Sequence, residues 1–216
     1  MDTTRIGSLL APFLASGEPL SPSQLDNILM YINILLKWNA RMNLTAVRDP
    51  YEMVTRHFGE SLFAARHIFP EPDAKASAAD MGSGAGFPGL PIKLWAPQVK
   101  LTLIESNQRK ATFLREVARA LALRDVEVFG GRAESYSGEL FDVVTLRAVE
   151  RFDAALLVAA RLVRPVGRLA LLIGEGQTAQ VRDLATNMAW NEPISIPNST
   201  NRVLLVGSRS AVEPGQ

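Results

Sequence analysis

The stretch Ala79-Asp80-Met81-Gly82-Ser83-Gly84-Ala85-Gly86-Phe87-Pro88-Gly89 constrains this chain most, because glycines at 82, 84, 86 and 89 follow directly on a short apolar run. A strand that breaks into closely spaced glycines lets backbone approach a ligand, and the apolar residues after Pro88 continue as a helix. Lys75 to Met81 reads as the strand and Pro88 to Trp95 as the helix. Alternation continues downstream, with strands expected at Val99 to Ile104, Val126 to Phe129, Phe141 to Leu146 and Arg168 to Ile173. Helices are expected between them: one lined by Phe113, Leu114, Val117, Ala118 and Leu121, one at Phe152 to Leu162, and a last at about Ala179 to Met188. Strands alternating with helices argue for βαβ units around a parallel sheet. The closing pair, Pro193 to Ile196 and Arg202 to Val206, is joined by too few residues for a helical crossover and must be an antiparallel hairpin.

Ahead of the glycines the pattern is helical. Ser21-Pro22-Ser23-Gln24 offers an N-cap, a proline at the first helical position and a capping-box glutamine, and Leu25, Ile28, Leu29, Ile32, Leu35 and Leu36 recur at helical spacing. A second helix is expected from about Pro50 to Ile68. Residues 1–72 therefore read as a helical cap, 73–210 as the α/β domain and 211–216 as a disordered tail.

Glycine turns of this kind serve dinucleotides or S-adenosylmethionine. Gly84-Ala85-Gly86-Phe87-Pro88-Gly89 satisfies the dinucleotide spacing, and Glu105 ends the next strand where a ribose-binding acid belongs. Pro88, however, removes an N–H from the helix turn that would hold a pyrophosphate, and Asp80 sets against the turn a carboxylate that repels phosphate and welcomes a sulfonium or ammonium. Asp80, Gly82, Gly84 and Gly86 followed by Glu105 form the pattern of class I methyltransferases, an α/β fold with a seven-stranded, Rossmann-like sheet. Gly131-Arg132-Ala133-Glu134, after the third strand, lies on the same sheet edge and could reach an adenine amino group; Glu134 could equally cap the helix behind it. An NAD-dependent oxidoreductase, and an RNA-binding module without catalysis, stay open as alternatives.

Composition prunes the chemistry. The 216 residues include no cysteine and two histidines, His57 and His67, so thiolate nucleophiles and a structural zinc site are excluded and no metal is expected. Asp2 and Pro12 interrupt the start as a secretory leader, and no apolar stretch reaches membrane-spanning length, so a cytoplasmic, non-membrane protein is the expectation. The net charge of +1 neither announces nor rules out a nucleic-acid partner, although eighteen arginines against five lysines favour the side chain that grips phosphate bidentately.

If the cofactor is S-adenosylmethionine, subtraction narrows the acceptor. Cytosine C5 needs a cysteine. The fourth strand runs into Leu146-Arg147-Ala148-Val149 rather than the Asn/Asp-Pro-Pro-aromatic motif of common amine methylators, and no lysine follows Lys110 to build a ribose-methylating tetrad. An atom whose lone pair attacks unaided remains, and guanine N7 is one, so positioning supplies much of the catalysis. Arg147 is placed to hold the methionine carboxylate of the cofactor, or a substrate phosphate or O6; its bland reading is a pair with a surface carboxylate.

Asn43-Leu44-Thr45-Ala46, Arg48-Asp49-Pro50, Arg56-His57, the glycine turn, Leu103-Ile104-Glu105-Ser106 with Lys110 and Phe113-Leu114, Gly131-Arg132-Ala133-Glu134 and Arg147-Ala148-Val149 together resemble the small-subunit ribosomal RNA methyltransferase G family, also called glucose-inhibited division protein B. The likeness runs from about residue 25 to 206. It implies N7 methylation of guanosine 527 of 16S ribosomal RNA in the 30S subunit, with S-adenosyl-L-methionine as donor; a monomer is the expected working form. It also implies cofactor contacts at Gly82, Phe87, Ala133, Glu134 and Arg147, and makes Asn43, Arg48, Arg56 and His57 candidates for RNA contact. From the residues alone His57 reads as helix surface. Where the family usually carries a lysine before glycine after the fifth strand, this chain has Glu175, which reverses the sign of a cationic contact and leaves RNA recognition to arginines.

Overall fold

The computed structural model describes residues 1–14 and 19–211. The expected fraying of the tail therefore falls, from 212 onward, outside the described residues.

The cap is built from α1 (Thr3–Leu10), α2 (Pro22–Asn39), α3 (Pro50–Met53), a π-helical stretch at Val54–Gly59, and α4 (Glu60–Ile68). The capping box forms at α2: Ser21 Oγ accepts the Gln24 N–H at 3.3 Å and Gln24 Oε1 accepts the Ser21 N–H at 2.8 Å. The helix expected from Pro50 to Ile68 is present, but its middle is π-helical, a feature concentrated at functional sites.

After the cap come β1 (Ser77–Met81), α5 (Gly89–Trp95), β2 (Lys100–Ile104), α6 (Gln108–Ala120), β3 (Val126–Phe129), β4 (Phe141–Arg147), α7 (Phe152–Leu162), β5 (Val163–Gly174), α8 (Thr178–Leu184), β6 (Met188–Trp190), β7 (Ile194–Ser195) and β8 (Arg202–Arg209). The sheet order is β3-β2-β1-β4-β5-β8-β6, with β7 also paired to β8. Pairings from β3 through β5 are parallel, whereas β8 runs antiparallel to β5, β6 and β7. The expected hairpin pairing is present as Ile194 against Leu204 and Ser195 against Val203.

Among the described residues, eight strands replace the expected seven. The last helix stops at Leu184, and Met188–Trp190, expected to begin at the end of that helix, pairs with β8 instead. Packing decides this: the Trp190 ring lies across Gly207, where a Cβ would meet ring carbons at 2.6 Å. Only a residue without a side chain lets the indole cover the strand.

The parallel strands are buried on both faces, which explains their nearly continuous apolar runs. Along β5, Ala170 and Leu172 face the core shared with the cap, while Leu169, Leu171 and Ile173 face the core under α7 and α8. The first of these cores is continuous from Ile6 and Leu10 of α1, through Tyr31 and Phe58, to Leu103 and Leu204 of the sheet.

Candidate active site

The chain leaves β3 to return on the other side of β1 as β4, so the sheet order reverses between β1 and β4. Loops at the carboxyl ends of strands diverge at such a point and leave a crevice. A cleft of about 730 Å³ lies there, lined by Gly82–Ala85, Phe87, Ile104–Asn107, Gly131–Glu134 and Arg147–Arg151 from the sheet, and by Leu44, Thr45 and His57 from the cap.

The glycine loop is tied down from three sides. Gly82, Gly84 and Gly86 adopt φ of +70°, +55° and +87°, which residues with a Cβ rarely take. Glu105 Oε2 accepts the Gly84 N–H at 2.8 Å and Oε1 accepts the Asn107 N–H at 2.7 Å, which fixes the carboxylate in the cleft with lone pairs remaining for a hydroxyl donor. From the cap, the Tyr31 hydroxyl donates to Ala85 O at 2.5 Å and its ring stacks on Phe87 at 5.3 Å. Burial raises the Tyr31 phenol well above its usual range and keeps it a neutral donor.

Asp80 departs from its expected place. Its carboxylate does not line the cleft; it is 1% exposed, with Oδ2 accepting the Gly89 N–H at 3.1 Å and Oδ1 accepting the Thr145 hydroxyl at 2.9 Å. Desolvation pushes its pKa up to about 6, against the hydrogen bonds from Thr145 and Gly89. It braces the loop rather than facing a sulfonium. The same contact opposes the dinucleotide reading, since the N–H that would meet a pyrophosphate is already taken by a carboxylate. Gly86 also lies off the cleft, packed against Tyr31 and Leu90.

Arg147, at the end of β4, meets a buried partner rather than a surface one. Its Nη2 donates to Arg56 O at 2.7 Å and to Glu60 Oε2 at 3.2 Å, and lies 3.4 Å from His57 Nδ1. The π stretch makes this possible: the Glu60 N–H, which in an α-helix would donate to Arg56 O, goes to His57 O and Thr55 O instead. Glu60, 1% exposed, also takes Arg202 Nη2 of β8 on Oε1 at 2.5 Å. Burial raises the Glu60 carboxyl while Arg147 and Arg202 pull it back. Nη1 and Nε of Arg147 have no partner among the described residues and are not sealed from solvent, so that edge of the guanidinium opens on the cleft.

His57 is not helix surface. Its ring stacks on Phe87 at 4.7 Å and its Nε2 lies 2.8 Å from Thr45 Oγ1. Burial, then the guanidiniums of Arg147, Arg56 and Arg202, lower its pKa to about 3. The ring is neutral at physiological pH.

The cleft thus gathers Gly82, Gly84, Phe87, Glu105, Ala133, Glu134, Arg147 and His57. Glu134 sits exposed in the short 3₁₀ turn Ala133–Ser135 without capping it. Asn43, Arg48 and Arg56 stay outside the cleft with exposed side chains, Arg56 bonded to Glu52 at 2.8 Å. Glu175 is exposed and outside the cleft too, its N–H on Asn201 O at 2.8 Å. Sequence reasoning missed Glu60, Arg202 and Asn39. Asn39 Oδ1 accepts the N–H groups of Leu44 and Thr45, and its Nδ2 donates to Thr45 O, which shapes the loop that brings Thr45 to the cleft. A carboxylate beside Arg56-His57 was the one signal in the sequence for Glu60.

A parallel sheet closed by an antiparallel strand, with a glycine loop and an acid at the β1 and β2 ends, defines a class I S-adenosylmethionine-dependent methyltransferase. The fold is shared with the P. horikoshii TYW2 protein in complex with MeSAdo, at TM-score 0.58 and 15% identity over 71% of this chain and 62% of that one. It is also shared with a predicted O-methyltransferase of Agrobacterium tumefaciens, at TM-score 0.58 and 19% identity over 69% and 80%. The chain belongs to the rRNA small subunit methyltransferase G (GidB) family, whose family model matches residues 24–204. Relatives named ribosomal RNA small subunit methyltransferase G include that of Chloroflexus aggregans, 36% identical over 96% of this chain and 91% of its own length. Another, from Xanthomonas campestris pv. campestris strain B100, is 41% identical over 79% of each. No helix among the described residues is long and apolar enough to cross a membrane.

Proposed function

We propose that this protein methylates N7 of guanosine 527 of 16S ribosomal RNA, using S-adenosyl-L-methionine. The observation that carries the reading is a single cleft with two unlike halves: glycine loop, Glu105 and the Ala133-Glu134 turn from the sheet, and Leu44, Thr45 and His57 from the cap. Family membership supplies the substrate class.

The sheet half fits the cofactor. Glu105 keeps lone pairs for ribose hydroxyls, Glu134 stands exposed at the turn where an adenine amino group would donate, and the open edge of Arg147 suits a carboxylate. At Gly82, a Cβ would come within 2.8 Å of Val149 Cγ1, so bare backbone keeps this wall thin. Held by these residues, the cofactor would supply a sulfonium methyl that an N7 lone pair can take, with the C–S pair left on sulfur and no proton to be moved. The chain's own task is alignment and exclusion of water. A neutral His57 adds no repulsion to the charge that develops on the base.

On this reading residues 1–72 form the RNA-contacting half and 73–210 the cofactor half. Asn43, Arg48 and Arg56 on the exposed cap are the phosphate and sugar contacts. On the same reading the working form is a monomer that acts on the 30S particle in the cytoplasm and needs no metal. The test is methyl transfer from labelled S-adenosylmethionine to 30S subunits of a strain lacking the gene, followed by mapping of N7-methylguanosine. One modified guanine at the stated position, lost with Arg147→Ala, is the expected outcome; cofactor binding without transfer would overturn the substrate assignment.

A further inference from the structure

Thr45 stands where a hydrogen-bond chain through Val47 and His57 reaches the cleft. The Val47 N–H donates to Thr45 Oγ1 at 3.1 Å, and His57 Nε2 lies 2.8 Å from the same oxygen. On the far side of the ring, Nδ1 faces Arg147 Nη2 at 3.4 Å. A guanidinium carries donors only, which favours placing the ring proton on the nitrogen turned away from it, Nε2. With the proton so placed, the neutral imidazole donates to Thr45 Oγ1. Both lone pairs of the Thr45 hydroxyl are thereby occupied, by Val47 and by His57, and only its proton is left to give. Thr45 is part-buried and lines the cleft beside Leu44 and the His57–Phe87 stack.

We propose that the Thr45 hydroxyl reads the target base by donating to guanine O6, which makes Thr45 a specificity-determining residue; the inference rests on guanine N7 being the acceptor. On that edge guanine offers two acceptors, N7 and O6, whereas adenine sets an amino donor beside N7. A hydroxyl with only a proton to offer pairs with the first and collides with the second. Contact at O6 leaves the N7 lone pair free to attack. Asn39, which holds the Thr45 backbone at both N–H and C=O, fixes the direction of the donor.

A cycle between protein and substrate tests this. Methyl transfer is measured for the wild type, Thr45→Val and Thr45→Ser, on 30S subunits reconstituted with guanosine or with 2-aminopurine riboside, which lacks O6, at the mapped position. Calorimetry with S-adenosylmethionine checks that each variant keeps its cofactor half. On guanosine, Thr45→Val should lose roughly ten- to a hundredfold in kcat/KM, and Thr45→Ser should stay within about threefold of wild type. Wild type should lose a similar factor on 2-aminopurine, with no further loss on adding Thr45→Val. Independent, multiplicative losses, or a wild type indifferent to O6, would overturn the assignment of Thr45 alone. A wild type that methylates some atom other than guanine N7 would overturn the parent reading and this one with it, and the product map separates the two failures.

Discussion

His57 shows how a single side chain changes meaning when its neighbours arrive. On a helix surface it would titrate near 6.5; under Phe87 and beside three arginines it stays neutral down to about pH 3. Between those values the unfolded chain binds a proton that the folded chain refuses, so His57 costs stability as pH falls, by about 1.4 kcal/mol per pH unit. Asp80 works in the opposite sense: folded it holds its proton up to about 6, so its favourable contribution is full below 3.8 and lost as pH rises through 6. Comparing wild type with His57→Gln removes the Asp80 effect. Urea unfolding at pH 7, 6, 5 and 4 should show wild type losing ground to the variant at each step below 6.5, and a pH-independent difference would refute the buried, neutral ring. Gly86 gives a second prediction. Any Cβ there strikes the Tyr31 hydroxyl and comes within 2.6 Å of Leu90 Cδ1, at a φ of +87°. Gly86→Ala should cost about 2–4 kcal/mol in denaturant titration, with the cofactor loop loosened.

At the scale of elements, the joint between cap and sheet is a carboxylate between two guanidiniums: Glu60 of α4 holds Arg147 of β4 and Arg202 of β8. Arg202 Nε is buried without a partner among the described residues, so the cluster shows no reserve acceptor there. Removing the carboxylate strands two cations, and Glu60→Ala should destabilise by about 3 kcal/mol. Glu60→Gln should keep the shape, lose part of that stability and raise the KM for S-adenosylmethionine, because Arg147 loses its anchor. Unchanged stability in both variants would show that solvent replaces the pair. The π stretch belongs to this joint, since it withdraws the Glu60 N–H from Arg56 O and that carbonyl receives Arg147.

In the whole molecule, one apolar core runs from α1 through Tyr31, Phe58 and Phe87 into the sheet. Cap and sheet should therefore unfold together. Trp38 in α2 packs on Phe113 of α6 at 5.7 Å, so tryptophan fluorescence and far-ultraviolet dichroism should give coincident urea transitions. An early fluorescence transition would mark a cap that melts on its own. Saturating S-adenosylmethionine should raise the unfolding free energy by about 2.7 kcal/mol at a hundred times its dissociation constant, whereas NAD should give no shift.

Local signals were legible in the sequence because they depend on a few neighbouring residues. The Ser21 capping box, the glycines at positive φ, the strand and helix alternation and the closing antiparallel pair all follow from propensity and period alone. So did the sheet half of the cleft, since each loop after a parallel strand must emerge at the same edge. The cap half was not. Whether Thr45 and His57 face the cleft depends on how α2 and the π stretch pack over the glycine loop, and a π turn has no sequence period of its own. Asp80 was misplaced for the same reason: in sequence it leads into the glycines at 82, 84 and 86, but its partners in the fold are Gly89 and Thr145. Glu60 could not be paired in advance with Arg147 and Arg202, which lie 87 and 142 positions further along the chain. The sequence by itself determined the order of elements and the chemistry each loop carries. Tertiary structure alone decided which charges are buried together, because desolvation belongs to the packed molecule and to no single segment of it.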